Sequence, residues 1–136
     1  IVFLHGFTGS KLTWQPVIEH LPHNINYIAV DLMGHGNSEV SSNPNRYRME
    51  EQLFDLQELF SYLQLESFSL VGYSMGGRIA LAYALANNRQ VQHLVLESSS
   101  PGLRTFKEQQ ISSFITSYQR FLFRKSTRST FRQLLP

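Results

Sequence analysis

Within the 136 residues of the chain, the arrangement best suited to chemistry is Gly72-Tyr73-Ser74-Met75-Gly76, a serine at G-x-S-x-G spacing. A serine hydroxyl is a weak nucleophile and a weak base until a neighbour takes its proton, so its placement matters more than its type. The spacing serves placement. A tight strand-to-helix turn needs small residues beside the serine, and Gly72, Gly76 and Gly77 are those residues. Such a turn holds the Ser74 hydroxyl above the carboxyl end of a sheet, at the N-terminus of the next helix. The competing reading of Ser74 is a plain helix cap.

A second signal is His5-Gly6-Phe7, which closes a short apolar run. An oxyanion needs backbone N–H donors converging on one point. The motif logic assigns one donor to Met75, just after the serine, and another to Phe7 in the loop after the first strand. Alone, His5-Gly6 would read as a strand end and a turn; beside the serine motif the oxyanion loop is favoured.

Other candidates are weaker. Asp31 follows a strand and is either a catalytic carboxylate or, as is commoner, the anchor of its own loop. His93 falls inside a predicted strand, about 13 Å short of its carboxyl end at ~3.3 Å per residue, and reads as a core or edge histidine. His20 and His23 flank a helix end and read as solvated. His5 and His35 are predicted at the catalytic edge, with no carboxylate evidently placed to orient either. The glycine spacings match neither a Walker loop nor G-x-G-x-x-G, and no His and carboxylate set has metal-ligand spacing.

The elements that must position these residues alternate along the chain. Apolar runs at 1–4, 27–30, 68–71 and 91–96 read as strands, the first buried on both faces. Trp14, Val17, Ile18 and Leu21 form a helical stripe with Thr13 as N-cap and Pro16 in the first turn. Met49, Leu53, Leu56, Phe60 and Leu63 form a second stripe, and residues 78–86 an Ala/Leu-rich helix. Ser98-Ser99-Ser100-Pro101-Gly102 ends the fourth strand. Beyond it, Ile111, Phe114, Ile115, Tyr118, Phe121 and Leu122 mark one more amphipathic helix, while residues 124–130 have no apolar period. Alternating strands and helices predict a parallel sheet between helical layers. The expected division is a core over 1–103 and a helical segment with a basic tail over 104–136.

Length and composition fit one domain. Hydrophobic residues are 42% and charged residues 16%, too apolar for a disordered chain. No apolar run reaches the roughly 18 residues of a membrane span. Cysteine is absent, which excludes disulfides and thiolate chemistry. The net charge of +2 is unevenly spread, with 5 basic and 9 acidic residues up to Leu103 against 7 basic and 1 acidic from Arg104 on. A basic tail can meet an anionic surface, but basic residues on one helix are more often its solvated face. With no initiator Met, the opening Ile1-Val2-Phe3-Leu4 reads as a chain that starts in mid-fold.

Taken together, residues 4–10, the segment Asp31-Leu32-Met33-Gly34-His35-Gly36-Asn37-Ser38 and Gly72-Tyr73-Ser74-Met75-Gly76-Gly77 resemble the α/β-hydrolase fold superfamily. Within it, the elbow continuing to Arg78 and Leu96-Glu97-Ser98-Ser99-Ser100-Pro101-Gly102-Leu103 look like the 2-succinyl-6-hydroxy-2,4-cyclohexadiene-1-carboxylate synthases of menaquinone biosynthesis. The resemblance covers about residues 1 to 105. It implies a partial three-layer fold with strands in the spatial order second, first, third, fourth. It also implies a cytoplasmic lyase that needs no cofactor or metal, acts on a small carboxylate and has no nucleic-acid partner. Ser74 would be the triad serine, Phe7 and Met75 the oxyanion amides. Tyr73 and Arg78 would hold the substrate's carboxylates, a role for which a planar guanidinium is well matched. For Arg78, a solvent-facing helix charge is an equal alternative.

The chain departs from the family in three respects: the first strands of the fold are missing, the tail after Leu103 lacks the Glu-rich helix expected in a cap, and the triad is incomplete. The superfamily's order is serine, acid, histidine, yet after Ser74 the sequence contains no Asp and only one histidine, His93. The triad is therefore expected to be completed outside this chain. A serine hydrolase of the same fold and an inactive truncated remnant are the alternative readings.

Overall fold

The computed structural model describes residues 1–101. Four strands, β1 (Val2–Leu4), β2 (Ile28–Val30), β3 (Phe68–Tyr73) and β4 (Val91–Glu97), form one sheet in the order β2-β1-β3-β4. Every pairing is parallel. This is the order that the family resemblance implied, and the parallel direction follows from crossovers that return each strand to the same end of the sheet. Three helices are described: α1 (Gln15–Ile18), α2 (Met49–Tyr62) and α3 (Met75–Ala86).

Alternation along β1 explains the layering. Val2 and Leu4 point into a cluster with Leu56 and Phe60 of α2 and Ile79, Ala80 and Tyr83 of α3. Phe3 points to the other face, where its ring lies 5.1 Å from that of Trp14. All three strand residues are buried, as a central parallel strand requires. Edge-to-face contacts of Phe60 with Phe68 at 4.7 Å and with Tyr83 at 5.1 Å lock α2 and α3 to β3.

The first helix departs from expectation. Residues Lys11–Trp14 form a 3-10 turn that runs into the four-residue α1. Its cap is Ser10, whose Oγ accepts from Leu12 N–H at 3.3 Å; Thr13 completes the capping box rather than starting the helix. Of the Trp14–Leu21 stripe only Trp14 is buried, Ile18 and Leu21 are half-buried and Val17 is exposed, so little packing supports a longer helix.

Register decides where the chemistry gathers. Leu4 pairs with Val30 and with Gly72, and Gly72 pairs with Leu96. The residues just past these positions, His5, Asp31, Ser74 and Ser98, therefore lie along one carboxyl edge. No helix among the described residues is long and apolar enough to cross a membrane. The boundary at residue 103, the helix expected over 111–122 and the basic run lie outside the described residues.

Candidate active site

β3 ends at Tyr73 and α3 begins at Met75, leaving Ser74 alone at the corner with φ 50° and ψ −109°. A non-glycine residue in that region stores strain and persists only where its surroundings over-determine it. Here they do. Ser74 N–H donates to Glu97 O at 2.9 Å, and Ser74 O accepts from Arg78 N–H at 3.2 Å and from Ser99 Oγ at 3.1 Å. The corner also requires bare backbone on both sides. A Cβ on Gly72 would come within 2.5 Å of Gly77 Cα, and one on Gly76 would run into the carbonyl oxygens of Leu4 and His5.

Met75 is the first residue of α3, so its N–H is one of the donors that a helix N-terminus leaves without an intrahelical partner. Across the edge, residues 6–9 turn back through Gly9 N–H to Gly6 O at 3.0 Å, with Thr8 at φ 63°. This turn carries Phe7, whose side chain is 74% exposed.

Phe7, Ser74, Met75 and Arg78 line one open cleft of about 710 Å³, whose opposite wall is Leu96 with residues 98–100. The structure thus brings four of the five predicted site residues together. Tyr73 is not among the lining residues. It is 40% exposed, and its ring covers Gly6, where a Cβ would come within 2.7 Å of Tyr73 Cδ1. Arg78 is exposed at the cleft, and among the described residues no carboxylate pairs with it.

Asp31 is a loop anchor. Its side chain is 7% exposed, accepts from Lys11 N–H at 2.6 Å and Asn37 N–H at 3.1 Å, and pairs with Lys11 Nζ at 3.0 Å. Burial by itself would raise this carboxyl; the two amide donors and the Lys11 ammonium prevail and hold it down to about 2. His93 is an exposed edge histidine, 3.2 Å from Ser69 Oγ and in register with Ser69, well before the carboxyl edge. His20 and His23 are exposed.

Two features that the sequence singled out take on roles that their spacing did not indicate. One is the segment 98–100, read from the sequence as a strand breaker within a family-like stretch, which forms a wall of the cleft; Ser98 sits at φ 48° with Oγ donating to Glu97 Oε1 at 2.9 Å. The other is His5, wholly buried with both ring nitrogens bonded to backbone. Among the described residues no imidazole is hydrogen-bonded to Ser74 Oγ.

A family model described as alpha/beta hydrolase fold matches residues 1–134. A Bacillus subtilis (strain 168) protein, provisionally named a 2-succinyl-6-hydroxy-2,4-cyclohexadiene-1-carboxylate synthase, is 45% identical over 108 residues, covering 79% of this chain and 39% of the relative. The enzyme of that name from Enterobacter sp. (strain 638) is 40% identical over 103 residues, 76% of this chain and 38% of its own. Among solved structures, MenH from S. aureus superposes with a TM-score of 0.69 at 36% identity, over 80% of this chain and 41% of its own. The chain therefore spans about two fifths of the length of these relatives. A strained serine between strand and helix, a four-stranded parallel sheet and a family match along nearly the whole sequence agree: the chain belongs to the α/β-hydrolase fold family.

Proposed function

We propose that these residues form the serine and oxyanion part of a lyase that eliminates pyruvate from the succinyl-enolpyruvyl-hydroxycyclohexene-carboxylate precursor of menaquinone. The observation that carries the reading is the single cleft shared by Ser74, Phe7, Met75 and Arg78. The 40–45% identity to proteins named for this synthase activity supports the choice of reaction.

In this reading Ser74 Oγ, its proton drawn off by a histidine, takes the proton next to the substrate's succinyl carbonyl. The electron pair left behind moves onto that carbonyl oxygen, where the N–H groups of Phe7 and Met75 stabilise the negative charge. As the charge returns, a new C=C bond forms and the C–O bond to the enolpyruvyl group breaks, releasing pyruvate enolate, which takes up a proton. Arg78 holds a substrate carboxylate; Tyr73, which the family resemblance gives the same role, packs over Gly6 outside the cleft lining. Proton transfer and anion stabilisation suffice, so no cofactor or metal is assigned. The reading requires a histidine and a carboxylate from outside these 136 residues. It implies a small carboxylate as partner, no nucleic acid, and a cytoplasmic setting.

The test is pyruvate release by the complete gene product, set beside hydrolysis of an activated ester. Ser74→Ala should lower elimination by at least about 10²-fold. Fast ester hydrolysis with no pyruvate formed would replace the lyase by a hydrolase of the same fold.

A further inference from the structure

We propose that His5 is a positioning residue that aims the Phe7 N–H into the oxyanion site. The inference rests on the reading of Phe7 as an oxyanion donor and adds what makes it one.

His5 follows β1 and is 0% exposed. Its Nδ1 lies 2.8 Å from Gly6 O, and its Nε2 lies 3.1 Å from Leu32 N. A carbonyl can only accept and an amide N–H can only donate. The ring is therefore the neutral tautomer with the proton on Nδ1, donating to Gly6 and accepting from Leu32. A second proton on Nε2 would eject the Leu32 bond and bury a charge. Burial accordingly pushes the His5 pKa below its ordinary value. His5 is thus no substitute for the base that Ser74 needs.

Its effect passes through one peptide plane. Gly6 C=O and Phe7 N–H belong to the same trans peptide and point in opposite directions. The carbonyl is held by two donors, His5 Nδ1–H at 2.8 Å and Gly9 N–H at 3.0 Å. Fixing the oxygen fixes the N–H. The Phe7 side chain does not anchor this peptide by burial, since it is 74% exposed. The bond from Leu32, a residue 2% exposed in the loop after β2, keeps the ring from rotating. An oxyanion donor acts by being already aimed when charge develops, so a loosened peptide lowers kcat more than it weakens binding.

Two substitutions separate the two ring bonds. In His5→Asn the amide nitrogen can take the place of Nδ1 and keep the donor to Gly6. In His5→Gln the longer side chain can present an acceptor to Leu32 but loses that donor. Both should lower thermal stability. In the complete gene product, His5→Gln should lower kcat for pyruvate release by about 10²-fold with KM little changed, the scale of losing one oxyanion donor. His5→Asn should keep kcat within about threefold. Equal losses in the two variants, or an unchanged kcat in His5→Gln, would overturn the assignment. On the unsubstituted protein, imidazole ¹⁵N spectroscopy should show a neutral His5 ring protonated at Nδ1; a ring protonated at Nε2 would overturn it without any variant. Ser74→Ala run in parallel separates the two claims. If Ser74→Ala keeps full turnover, the reading of the site fails. If it is inactive while His5→Gln has normal kcat, only the role of His5 fails.

Discussion

Ser99 donates its hydroxyl to the carbonyl oxygen of Ser74 at 3.1 Å and so ties the turn after β4 to the corner after β3. The same hydroxyl lies 3.0 Å from Glu97 O, which in turn accepts Ser74 N–H at 2.9 Å. Glu97 and Ser99, which flank Ser98 at φ 48°, thus brace Ser74 at φ 50° across the sheet edge. Ser99→Ala is expected to cost about 1 kcal/mol, the usual net worth of such a bond. Denaturant unfolding measures it, and unchanged stability would mean the hydroxyl bears none of the strain.

Arg78 is expected to act in binding. It opens on the cleft without a described carboxylate partner, so its removal leaves no buried charge behind. Arg78→Ala should raise KM by about 10-fold or more, the scale of one charge-assisted hydrogen bond, with a smaller change in kcat. Arg78→Lys should recover part of the loss, because a point charge cannot replace a fork. Steady-state kinetics with unchanged KM and kcat would make the arginine a solvated helix charge.

Asp31 makes stability depend on pH in a defined direction. Its carboxyl is held from 3.8 down to about 2 in the fold, so the unfolded chain takes up the proton first as pH falls. The stabilisation is fully present above the ordinary value and is lost as pH drops through about 2. Because the side chain is 7% exposed, the effect should be on the order of 2 kcal/mol at neutral pH. Asp31→Asn should lose that amount at pH 7 and converge on the unsubstituted protein in strong acid. Urea unfolding at both pH values measures the difference.

The 136-residue chain expressed alone is expected to show almost no turnover and to self-associate. His93 is the only histidine after Ser74, and it is bonded to Ser69 rather than to the site. Among the described strands, β2 and β4 each pair on one side only, and Val95 of β4 is 46% exposed. Open strand edges of this kind recruit other chains. Light scattering and the pyruvate assay check both halves; a monomer with full turnover would refute the expectation.

What the sequence determined by itself was local. The corner at Ser74 was legible because its demands fall on neighbours in the chain: small residues at 72 and 76, a β-rich run before and an Ala/Leu-rich run after. The second helix was legible because its period is long and regular, whereas the helix over the Trp14 stripe is shorter than its period suggested because its second half is only partly covered. Tertiary structure decided the rest. His5 meets its partner Leu32 27 residues away, and Asp31 meets Lys11 20 residues away. Those bonds exist only because parallel register brings the loops after β1 and β2 to one edge. The serines at 98–100 became a cleft wall for the same reason: Tyr73 pairs with Glu97, so the chain leaves β4 directly opposite the corner. Spacing along a chain reports sterics within one element, but which loops share an edge is set by hydrogen bonding between strands far apart in sequence.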